Sequence, residues 1–99
     1  MRRIDWSDKA SEQLANILIF WAKHNHSTRY SEKLLAEMEN SLSKLSILPE
    51  LGKPSGVSDI RMKLVRDYWV FYKYTDHEIY IIQISSTYQH PKGIYKDLK

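Results

Sequence analysis

Two periodicities divide the chain. From Ala10 to Leu48 apolar residues recur at helical spacing, whereas from Ile60 onward they alternate with a period of two. Ahead of both, "RRIDW" alternates as well, with Ile4 and Trp6 on opposite parity to Arg3 and Asp5, and predicts a first strand. Ser7 then supplies an N-cap, and Asp8 sits in the first turn, where a carboxylate favours the helix dipole. Ala10, Leu14, Ile17, Leu18 and Trp21 continue the pattern as a helix over about residues 8–24. "HNHST" interrupts it. Ser27 or Thr28 caps a second helix, whose apolar row is Tyr30, Leu34, Met38, Leu42, Leu45 and Leu48, and Pro49 and Gly52 end that row. Two striped helices joined by a short break form a hairpin that needs a sheet to cover its stripe.

"LGKPSGVS", residues 51–58, is rich in turn formers and predicts an exposed loop. Beyond it, Ile60, Met62 and Leu64 alternate with Arg61, Lys63 and Val65. Tight turns near Arg66–Tyr68 and Asp76–His77 lead into "WVFYKY" and "EIYIIQI", which are β-branched and aromatic runs of strand length. The predicted order is β-α-α-β-β-β: an α+β fold in which a helical hairpin packs on a mainly antiparallel four-stranded sheet. Residues 1–99 form a single domain, with room for a short helix over Lys92–Lys99. The predicted core is Leu14, Ile17, Trp21, Leu34, Met38, Leu42, Ile60, Met62 and Leu64. If Ile60, Met62 and Leu64 face the helices, period two forces Arg61 and Lys63 onto the opposite, open face of the sheet.

Composition narrows the chemistry. The 99 residues include no cysteine, which removes disulfide scaffolds, thiol catalysis and thiolate metal sites and accords with a reducing cytoplasm. The start, "MRRIDWSDKA", has no apolar run of the signal-peptide kind, and no segment approaches the roughly 20 apolar residues of a membrane span. The expected location is the cytoplasm, with no membrane partner. The net charge of +3 leans toward polyanionic partners, and the basic residues collect in the strand region and at the C-terminus, while Glu32, Glu37 and Glu39 lie on the second helix.

Three groups of residues carry candidate chemistry. Arg61, Lys63 and Arg66 form a cationic strip on or beside one strand; a solvated sheet face explains it, and so does phosphate recognition, for which an arginine fork is suited. "TYQHP" places Tyr88 and His90 two residues apart, on one side of an extended chain. Histidine there can act as general acid or base and tyrosine can stack on a base, although a packed tyrosine and an exposed histidine explain the same motif. "HNH", residues 24–26, reads as a helix terminus, because two histidines without nearby thiols or carboxylates make a poor ligand set.

The segments "DWSDKASEQLANILIFW", "YSEKLLAEMENSLSKLSILPELGKP" and "IRMKLVRDYWVFYKYTDHEIYIIQI", followed by "YQHP", resemble in order and spacing the RelE/ParE superfamily of toxins from type II toxin–antitoxin modules. The resemblance spans nearly the whole chain and implies a cognate antitoxin partner. It also implies one of two activities. RelE-like members are ribosome-dependent mRNA endoribonucleases, in which the mRNA 2′-hydroxyl attacks the adjacent phosphate without metal or other cofactor. On that reading Arg61, Tyr88 and His90 are the catalytic set, Lys53, Lys63 and Arg66 bind RNA, and ribosome and mRNA are the partners. ParE-like members instead poison DNA gyrase and lack the ribonuclease residues. The chain departs from RelE in having only Lys53 in the loop before the arginine strand, but His90 favours the ribonuclease, so the expected activity is the endoribonuclease, with gyrase inhibition as the alternative.

Overall fold

The computed structural model of the protein describes residues 1–87. The elements follow as β1 (Arg3–Trp6), α1 (Asp8–His24), α2 (Arg29–Ile47), a single 3-10 turn (Pro49–Leu51), β2 (Lys53–Val57), β3 (Ile60–Val65), β4 (Tyr68–Tyr74) and β5 (Glu78–Ser86). The five strands make one sheet in the order β1-β5-β4-β3-β2, in which β1 runs parallel to β5 and every other pair is antiparallel. The helical hairpin covers one face. Leu34, Met38, Leu42 and Leu45 of α2 bury against Val70 and Tyr72 of β4 and Ile79, Ile81 and Ile84 of β5, while Leu14, Ile17 and Trp21 of α1 close the side.

The N-terminus of α1 is tied to an irregularity in β5. Phe71 pairs with Gln83 but Tyr72 pairs with Ile81, so Ile82 is the extra residue of a β-bulge. A bulge leaves main-chain groups without ladder partners, and α1 supplies them. The Ser7 hydroxyl donates to the Ile82 carbonyl at 2.8 Å while its oxygen accepts from the Ala10 amide at 3.0 Å as the N-cap. The Ile84 amide donates to Gln13 Oε1 at 2.7 Å. One serine thus starts the helix and docks it. At α2 the N-cap is Thr28, without a side-chain cap bond; Ser27 Oγ instead accepts from the Arg29 amide.

Two expectations need correction. The segment 51–58 is a turn and an edge strand, so the sheet has five strands where four were expected. Pro54 and Gly56 disguise it: an edge strand tolerates a residue without an N–H, and Gly56, at φ +90°, sits where the pairing with β3 slips between Pro54 and Val57. The face assigned to β3 is also reversed. Arg61 and Lys63 pair with Tyr72 and Val70, whose side chains lie in the helix-side core, while Met62 and Leu64 pair with Phe71 and Trp69. Met62 and Phe71 bury in a second cluster with Ile60 and Trp69, on the face turned away from the helices. Leu64 is 45% exposed, as is Leu48 at 56% beyond the end of α2. β3 is apolar on both parities, counting Val65, so alternation alone does not say which row meets the helices. The suggested helix over Lys92–Lys99 lies outside the described residues.

Candidate functional site

The corner where the 3-10 turn enters β2 is held by a polar network around Arg61. The Arg61 guanidinium donates from Nε and Nη2 to the Gly52 carbonyl, at 3.0 and 2.7 Å, and from Nη2 to the Glu50 carbonyl at 3.3 Å. Beside it, the fully buried Tyr72 hydroxyl donates to the Pro49 carbonyl and accepts from the Gly52 amide. Tyr74 donates to the Glu50 carboxylate at 3.1 Å, and the Arg2 guanidinium lies over the Tyr74 ring. Burial pushes the Tyr72 phenol above its ordinary pKa, opposed by the Gly52 amide and the Arg61 charge, so it stays a neutral donor. The hydrogen bond to the Glu50 carboxylate raises Tyr74 likewise. The motif "LPELGKP" is therefore a turn whose carbonyls are bonded by residues of β3 and β4.

The predicted cationic strip does not stay together. Arg61 and Lys63 are half-buried on the helix side of β3. Arg66 lies past the end of β3, in the β3–β4 turn at φ +53°, where both its Nε and Nη2 pair with Glu37 of α2 and its guanidinium covers the Tyr30 ring. Lys53 is on the other face, with its ammonium 4.8 Å from the centre of the Trp69 ring. Tyr88 and His90 lie outside the described residues. At the "HNH" segment His24 stacks on Phe20 and meets Trp21 edge-on, and among the described residues there is no group of three or more metal-ligating side chains.

A feature that the sequence reading missed lies at the opposite edge of the sheet. Ile4 and Trp6 of β1, Leu14 of α1, and Leu35, Met38 and Leu42 of α2 line an open groove of about 480 Å³, with Glu39 at its rim. Ile4, Trp6, Leu14, Met38 and Leu42 are ordinary members of the strand and helical rows, so the groove shows only once the elements are placed in space. No helix among the described residues is long and apolar enough to cross a membrane.

Residues 4–91 match the family model described as the ParE toxin of the type II toxin–antitoxin system, parDE. Among solved structures, a chain of the chromosomal ParDE toxin–antitoxin system from P. aeruginosa superposes with a TM-score of 0.73 at 19% identity, covering 87% of this chain and 96% of that one. YafQ from E. coli strain BL21(DE3) matches with a TM-score of 0.47 at 20% identity, covering 87% and 93%. Among curated proteins none matches the chain in sequence.

Proposed function

The chain belongs to the ParE toxin family of type II toxin–antitoxin systems, and on that footing we propose that it acts by binding DNA gyrase, with no bond-making or bond-breaking step of its own. Its regulatory partner is then the cognate antitoxin of the pair. Besides family membership, the observation that carries this reading is the engagement of Arg61. A ribonuclease site needs that charge aimed at the scissile phosphate, in a position to stabilise the transition state. Here the guanidinium is spent on the carbonyls of Gly52 and Glu50. Nor do Lys53, Lys63 and Arg66 share one RNA-facing surface with it, because Lys53 lies across the sheet from Arg61 and Lys63, and Arg66 is paired with Glu37. A positive charge satisfied by main-chain carbonyls is a structural strut, and a toxin that works by occupying its target has no need of it as a catalyst.

The test is expression with the antitoxin withheld. The expected response is SOS induction with DNA breaks and intact mRNA, together with inhibition of gyrase supercoiling by the purified toxin. His90→Ala retains both. Cleavage of mRNA in a reconstituted translating system, abolished by His90→Ala in a variant that melts like the parent, would overturn the reading in favour of the ribonuclease set Arg61, Tyr88 and His90.

A further inference from the structure

α1 carries two rows of the same spacing, and the fold uses one of them. Ala10, Leu14, Ile17 and Trp21 recur at intervals of four, three and four and pack into the core. Glu12, Asn16, Ile19 and Lys23 repeat those intervals two positions later. At about 100° per residue, two positions carry a row some 200° round the helix. The second row therefore lies opposite the first, and all four of its residues are exposed. Ala15 and Phe20 flank it, with Ile19 52% and Phe20 56% exposed. α1 meets α2 and β5 through other positions, among them Leu18, Trp21 and Gln13. Alternating intervals of four and three are those by which one helix seats its side chains between those of another.

The order of charges along the outer row selects the occupant. Glu12 begins the row and Lys23 ends it, and neither is in an ion pair among the described residues. Consider a second α1 laid antiparallel, about a two-fold axis between Ile17 and Leu18. Glu12 of each copy then faces Lys23 of the other, and Asn16 of each faces Ile19 of the other. In a parallel pair Glu12 would meet Glu12 and Lys23 would meet Lys23, which repulsion opposes. The antiparallel order also brings the two Asn16 side chains to either side of the axis, where each amide finds a polar partner. A polar residue at such a seam fixes its register. The same axis puts both Phe20 rings on one side of the seam.

We propose that the outer face of α1 is a self-association surface, on which a second copy of this chain packs its own α1 antiparallel. The inference does not draw on gyrase as the target. A seam of one helix pair, about 25 Å long at about 1.5 Å per residue, is small for a stable interface, which buries roughly 1,200–2,000 Å². The dimer therefore comes apart on dilution.

The test is sedimentation equilibrium of the purified toxin over a concentration series, in which the parent is expected to pass from monomer to dimer. Glu12→Lys sets lysines against each other at both ends of the seam, and Lys23→Glu does the same with carboxylates. Each alone is expected to weaken self-association about tenfold at low salt, with melting changed little because both positions are exposed. Mixed in equal amounts, the two variants are expected to form a heterodimer of parental affinity, since every end contact then joins opposite charges. Ile19→Ser removes the apolar centre and is expected to weaken association at any salt concentration. A toxin that stays monomeric throughout the series would overturn the proposal. So would single variants that associate like the parent, or a mixture of the two that does not pair. Each of these results leaves the gyrase reading standing, because supercoiling inhibition is measured separately.

Discussion

Arg61 and Arg66 stand near the two ends of β3, carry the same charge, and end in opposite kinds of contact. Arg61 is half-buried and donates to the neutral main-chain carbonyls of Gly52 and Glu50, next to a tyrosine that bonds to the same turn. Arg66 is exposed and pairs with a carboxylate. Formal charge would rank the ion pair as the stronger device. Solvent reverses the order, since an exposed pair is screened and loses side-chain entropy, whereas the corner has polar groups that would be stranded without their partners. The comparison teaches that the stability of this fold depends on the corner, and that the β3–β4 turn is an accessory.

The corner breaks most easily at Gly52. Its φ is −77°, an ordinary value, so space rather than backbone strain restricts the position. A methyl added there would lie 2.8 Å from Tyr72 Cε1 and 2.9 Å from the Met62 carbonyl, and against the Tyr72 hydroxyl. The carbonyl belongs to the sheet and does not move cheaply. Gly52→Ala should cost about 1–3 kcal/mol or more, lowering the melting temperature by roughly 4–8 °C per kcal/mol in a domain of this size. A parental melt for this variant would show the corner to be soft.

Tyr72→Phe should cost slightly less, about 1–3 kcal/mol, because it leaves the Pro49 carbonyl and the Gly52 amide unpaired in a buried place. It also removes one of the atoms that Gly52→Ala strikes. The double variant should therefore be more stable than the sum of the two single costs, by a coupling of about 0.5–3 kcal/mol. Additive costs in urea unfolding would separate the glycine from the tyrosine and undo the picture of one shared corner.

Much of this architecture is legible in the sequence, and the failures have identifiable causes. The helical rows, the Ser7 cap and the two hairpin turns follow from local periodicity and turn chemistry, which operate over a few residues. β2 escapes notice because Pro54 and Gly56 are loop residues everywhere except in a bulged edge strand. The orientation of β3 escapes because it depends on its register against β4, a non-local quantity. Arg61 stands out as the residue to watch, yet its partners are main-chain carbonyls 9 and 11 positions earlier, and no side-chain pattern announces a carbonyl acceptor. For the same reason a cation in a strand reads as a phosphate ligand until the turn it holds is in view.

The smallest effect is expected at the other arginine, where pH and salt make the comparison sharp. The hydrogen bond from Arg66 holds the Glu37 carboxyl below its usual range, and burial opposes this. The folded state therefore binds that proton less readily than the unfolded chain. The contribution is present above the unfolded carboxylate value, about 4.3, and is lost as pH falls through the lower folded value. Glu37→Gln should lower the melting temperature slightly at neutral pH and low salt. The difference from the parent should shrink in about 1 M salt, where the screening length falls to roughly 3 Å, and vanish on acidification through that window. The hydroxyl lost in Tyr72→Phe bonds to a neutral carbonyl and a neutral amide, so over the same salt and pH range its deficit should change much less. Equal deficits for the two variants, or a salt-sensitive one for Tyr72→Phe, would mean that charge and not burial ranks these contacts.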